Sequence, residues 1–257
     1  GFNLSDNQNK LISYAGQKVI SEGVTSILEG YPLNSIWGYK TDGFFQQKQE
    51  VVDWAYQDAI TNVGDVKYLD LDNDGRISVG RATPEDHGDL VYLGADQPRY
   101  TFGVTGGLNW KGLDFSFFVQ GVGSRTFFPN TAFINPQDAQ WNNPMSFHID
   151  YWTEQNRDAY FPRPYVGGGH NYRKSDKWIV NGRYARLKNV QIGYTLPVAL
   201  TQKVKISNAR IFLTGQDLIT VSGLGIFKGS FSPEFGNNSA YNYPMYSNVS
   251  VGVNVNF

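Results

Sequence analysis

The fold turns on "YTFGVTGGLNWKGLDFSFFVQGV", residues 100–122. Tyr100, Phe102, Val104, Leu108 and Trp110 fall on one side of an extended chain, opposite Thr101, Gly103, Thr105, Gly107 and Asn109. Successive side chains of a strand point to opposite faces, so this is the period of a β-strand with one apolar face. Lys111-Gly112 supplies a minimal turn, after which Phe115, Phe117 and Val119 oppose Asp114, Ser116 and Gln120. The stretch predicts a hairpin of two strands, each about 10 residues long.

The pattern recurs. Val190, Ile192, Tyr194 and Leu196 oppose Asn189, Gln191, Gly193 and Thr195 until Pro197 stops the run. "ARIFLTGQDLI" predicts another strand, and the chain closes on "NVSVGVNVNF", with Val249, Val251, Val253 and Val255 opposite Ser250, Gly252, Asn254 and Asn256. A soluble β-sandwich shows the same alternation. Here, however, the polar faces are small and uncharged, and Tyr100, Trp110, Tyr184, Tyr194 and Phe257 sit near strand ends, where a bilayer has its interfaces. The connections alternate between short (111–112, 197–208) and very long (123–183, 219–247). Loops of roughly 60 residues are rare in soluble domains but normal on the outer side of membrane barrels. The expectation is all-β: an antiparallel transmembrane β-barrel with long extracellular loops.

Composition agrees. The net charge of −1 argues against nucleic-acid binding, and without cysteine there is no disulfide, thiol nucleophile or thiolate metal site. Aromatics are abundant: 16 Tyr, 17 Phe and 6 Trp. No apolar run approaches the ~18 residues of a membrane helix. The start, "GFNLSDNQNK", lacks a signal peptide and reads like a cut within a longer protein.

Seven stretches then carry a likeness. They are "GYPLNSIWGYKTDGFF" (30–45), "GDVKYLDLDNDGRI" (64–77), "DLVYLGADQPRYTFGV" (89–104), "RLKNVQIGYTLP" (186–197), "ARIFLTGQDLIT" (209–220), "SPEF" (232–235) and "VSVGVNVNF" (249–257). In this order the chain resembles the C-terminal part of the SusC/RagA-like TonB-dependent transporters of Bacteroidetes outer membranes. The resemblance implies that residues 1–257 are part of a plugged barrel of about 22 strands, with plug and early strands lying elsewhere. It implies a SusD-like surface lipoprotein lid, TonB contacted through the absent N-terminal part, and a SusC2D2-type assembly. Phe257 resembles the terminal signal read by the outer-membrane assembly machinery. If the last strand runs toward the periplasm, parity puts loops 123–183 and 219–247 outside the cell. Residues 31–46 fit either a strand or an extracellular subdomain.

The chemistry is sparse. Within 64–94, "DLDNDGRIS" opens like an EF-hand loop: Asp70, Asp72 and Asp74 take positions one, three and five, and Gly75 allows the sharp turn. The Arg76 carbonyl serves position seven, and Ca²⁺ or Mg²⁺ is the expected ion. Arg81 stands where an acidic twelfth residue is expected. Since "DLVYLG" matches the family's closing pattern, Asp89 is the first choice for the displaced ligand, with Asp86 and Glu85 behind it. An Asp-rich turn capped by its own side chains is the plainer alternative. His87, His148 and His170 lack ligand spacing and read as surface residues. No carboxylate pair is placed for glycoside hydrolysis, so no enzyme is expected. Trp141, Asn142, Tyr151, Trp152, Tyr165 and Trp178, aromatics beside amides and charges, are the candidates for gripping a sugar or peptide. They serve equally well as packing between loops or against a partner lid. The sequence therefore points to outer-membrane uptake of oligosaccharides or oligopeptides, with a secreted carbohydrate-binding or adhesion module as the alternative.

Overall fold

The computed structural model describes residues 1–16, 19–137, 143–236 and 245–257. Its main element is a six-stranded antiparallel sheet, a meander of Phe2–Ser5, Arg99–Trp110, Leu113–Ser124, Tyr184–Thr195, Asn208–Ser222 and Asn248–Asn256. The five longer strands are those read from the alternation. Phe2–Ser5 was not anticipated, because four residues are too few to establish a period. Lys111 and Gly112 both have positive φ, 47° and 87°, the conformation of a two-residue turn whose twist matches its strands.

Register carries the sequence pattern across the sheet. Trp110, Leu113, Tyr194, Ile211 and Val253 lie side by side, with Leu108, Phe115, Ile192, Leu213 and Val251 in the next row. All ten side chains are exposed, Val251 at 73%. An apolar face this wide is out of place in water and suited to lipid, which counts against the soluble-module alternative. The opposite face carries Gly107, Ser116, Gln191, Thr214 and Ser250 in one row. Beside them, Arg210 Nε donates to Asp114 Oδ2 at 2.8 Å. Gly193 lies between their strands, where a Cβ would collide with both side chains.

The core lies outside this wall. Short sheets (Gly23–Ser26, Ser35–Gly38 and Val91–Ala95; Thr41–Phe44 with Val66–Tyr68; Thr126–Phe127 with Val180–Asn181) build a second layer at the end where the long connections leave. Residues 31–46 belong here, not to the wall. One buried cluster joins Trp37, Tyr39, Tyr68, Leu90 and Trp152, and the other joins Phe127, Phe133, Phe161, Trp178 and Phe227. The long loops are thus a folded aromatic layer.

The two faces should answer differently to charge. Val251→Lys is expected to cost about 2–4 kcal/mol of barrel stability, and Ser250→Lys, facing the polar side, close to nothing. The fraction of parent protein migrating as a heat-modifiable barrel measures this, and equal losses would count against a lipid-facing Val251.

Candidate functional site

The acidic loop is wound by its own backbone. Asp70 accepts from the Asn73 N–H at 2.7 Å and the Gly75 N–H at 2.9 Å; Asp72 accepts from Asp74 N–H at 3.1 Å, and Asp74 from Arg76 N–H at 2.7 Å. Asn73 and Gly75 adopt positive φ, 61° and 82°, which asparagine and glycine tolerate best. Asp89, fully buried ahead of the Val91–Ala95 strand, accepts from Leu71 N–H at 2.6 Å and Ser78 N–H at 2.8 Å. It thereby fastens both ends of the loop.

As a result, carboxylate oxygens of Asp70, Asp72 and Asp89 lie within 4.8 Å of one another. The Asp74 backbone N–H draws the Asp72 carboxyl down, but desolvation and the charges of Asp89, Asp74 and Asp70 outweigh it and raise its pKa. Asp74 stands outside the cluster. The Arg76 guanidinium lies 5.4 Å over the Tyr56 ring, and the Arg76 backbone bridges to Tyr56. Asp86 is engaged by Arg81 at 2.7 Å. Two carboxylates of the loop and the Asp89 carboxylate that fastens it could together hold a hard divalent cation.

The aromatic candidates divide. Trp141 and Asn142 lie outside the described residues. Trp152 and Trp178 are 5% and 0% exposed, so neither is a ligand contact. Both are core: Trp152 donates to Gln46 Oε1 at 3.3 Å, and Trp178 donates to the Asn171 carbonyl at 3.0 Å and stacks on Phe161. Tyr165 packs edge-on against His170, its hydroxyl pushed up to about 12 by burial and then by the Asp65 charge. Tyr151 is half-exposed and lines a cavity of about 530 Å³ with Met145, His148, Pro162 and Tyr172.

Two histidines are also interior rather than surface. His148 accepts from Met145 N–H at Nδ1 (2.8 Å) and donates from Nε2 to the Phe133 carbonyl (2.9 Å), and burial lowers its pKa. His170 meets the buried Asp65 carboxylate at 3.1 Å, which also accepts from Asn171 Nδ2 at 2.8 Å. Asp65 immediately precedes the Val66–Tyr68 strand and also accepts from the nearby Asn62 N–H at 2.7 Å, but no local signal announced His170 and Asn171, which stand more than 100 residues away.

Sequence reasoning also missed a group of four charges. Lys188 lies 3.0 Å from Asp217 and 3.3 Å from Glu234, and Arg186 lies 3.2 Å from Glu234. Their common location in three of the resembling stretches was the available signal.

An open antiparallel wall with an apolar outer face, a polar inner face and a folded loop layer defines a section of an outer-membrane β-barrel. In fold the chain is similar to part of the RagAB peptide transporter and importer, and in sequence to part of two TonB-dependent receptors. The RagAB peptide transporter matches 99% of the chain with a TM-score of 0.70 and 20% identity. The open-open state of the RagAB peptide importer matches 100%, with a TM-score of 0.69 and 19% identity. In sequence the chain is 27% identical to TonB-dependent receptor P26 of Formosa agariphila, over 99% of its length, and 25% identical to TonB-dependent receptor P3 of the same organism. It spans 26% of the length of these relatives. No family model matches the chain.

Burial separates packing from binding. Trp178→Ala is expected to destabilise the outer layer by about 3–5 kcal/mol, read as faster proteolysis within 125–183 of the assembled protein. Tyr151→Ala should leave that rate unchanged.

Proposed function

We propose that the parent protein takes up oligosaccharides or oligopeptides across the outer membrane. The substrate is bound beneath a SusD-like lipoprotein lid and passes inward when TonB displaces the plug. The observation that carries this reading is the wall itself, whose apolar rows continue across its longer strands while the outer layer stands at one end. Likeness to receptors and importers over essentially the whole chain supports it. This section contributes wall and outer loops rather than the gate.

Deleting the parent gene should abolish growth on at least one oligomeric nutrient, tested with a panel of oligosaccharides and a tryptic peptide digest as sole carbon sources. Full growth on every one would overturn the reading.

The 64–94 loop has a structural part in the same reading: Asp70, Asp72 and Asp89, with the Arg76 carbonyl, hold Ca²⁺ or Mg²⁺ and staple the outer layer. The three convergent carboxylates support it. Calcium titration of the detergent-solubilised parent protein by calorimetry is expected to give a Kd of roughly 10⁻⁴–10⁻³ M. Asp72→Asn, an exposed change that leaves Asp89 in place, should abolish that binding. An unchanged isotherm would assign the loop's carboxylates to capping alone.

A further inference from the structure

The segment "FSPEFG", 231–236, is gripped from two sides. Arg125, just past the Leu113–Ser124 strand, pairs with Asp96 at 2.9 Å and donates to the carbonyls of Pro233 (3.4 Å) and Glu234 (3.2 Å). Arg186, on the polar face of Tyr184–Thr195, has a side chain only 4% exposed. It donates to Thr220 Oγ1 at 2.8 Å and Ser232 Oγ at 2.9 Å, and pairs with the Glu234 carboxylate at 3.2 Å. Lys188 and Asp217 complete the charge balance.

The backbone is shaped for this meeting. Register slips between Leu187 and Asn189 on both sides of their strand, and Asp217 has φ 51°. Such bulges re-aim side chains, and here they bring Lys188 and Asp217 together. Beyond the charges, Phe231 packs 4.9 Å from Phe133 in the aromatic core, and Gly236 lies under the Arg125 guanidinium where a Cβ would collide.

Packing by Phe231 alone would tie the segment to the outer layer only. Arg186 ties it to the wall as well, and Arg125 holds it from just beyond the end of a wall strand. The Arg186 side chain is buried while its ion partners are only partly so, and removing the Glu234 charge leaves a buried guanidinium short of its compensation. We propose that 231–236 is an ion-paired latch locking the aromatic layer to the polar face of the barrel wall, so that both move as one body. The proposal rests on the reading of this sheet as a transporter wall.

The test is tryptic cleavage after Lys228, an exposed lysine beside the latch, in the full-length parent protein in outer-membrane preparations. Glu234→Gln is expected to speed this cut by at least about tenfold while the heat-modifiable barrel band persists, since cleavage reports local opening. Arg186→Gln should do the same, and the double variant no more than either alone. An unchanged rate in Glu234→Gln, or additive effects, would overturn the latch. Loss of the barrel band in Glu234→Gln would also overturn it, making the cluster part of wall assembly. Absence of the band in the unmutated protein would instead refute the transporter wall on which the proposal rests.

Discussion

The wall cannot use its apolar side chains as a core. Their rows point outward to lipid, where they satisfy the bilayer rather than one another, while backbone hydrogen bonding between strands holds the sheet. Phe2–Ser5 and Asn248–Asn256 are the edges of this sheet, and in the barrel proposed for the parent protein their outer hydrogen-bonding groups pair with further strands. The packing that orders the rest of the chain must therefore come from the long connections. Among the described residues, both buried clusters are built almost wholly there.

That division explains the aromatic content. Tyr, Trp and Phe bury large areas and pair edge-on, which suits a layer of short sheets and turns with little regular structure of its own. Trp178 illustrates it, meeting Tyr160, Phe161 and Tyr172 while its N–H finds a carbonyl. Lys177 lies over Phe44 and Tyr160, and burial brings its pKa down to about 8. The same layer holds the acidic loop through Asp89, leaving the Asp72 and Asp74 carboxylates presented to solvent. The acidic loop stands on a scaffold whose packing is aromatic.

The junction between wall and layer is the point of mechanical interest. A hydrophobic seam there would conflict with the mostly polar inner face of the wall. Charge does the joining instead, through arginines emerging on the polar side. Two local departures from a regular ladder, at Lys188 and Asp217, allow it.

The wall was legible in the sequence because its determinant is local: a period of two tells which face each residue occupies, and the Lys111-Gly112 turn sets the register of its hairpin. The spacing of Asp70, Asp72 and Asp74 was legible for the same reason, although only Asp70 and Asp72 join Asp89. What tertiary structure alone decided is everything that depends on residues distant in the chain. Trp152 and Trp178 have the composition of a ligand surface, yet their environment comes from partners in other segments and makes them core. Asp89 meets its loop, Asp65 meets His170, and Glu234 meets Arg186 only after the strands have paired. Periodicity carries information over a few residues; burial and charge compensation are properties of the folded neighbourhood.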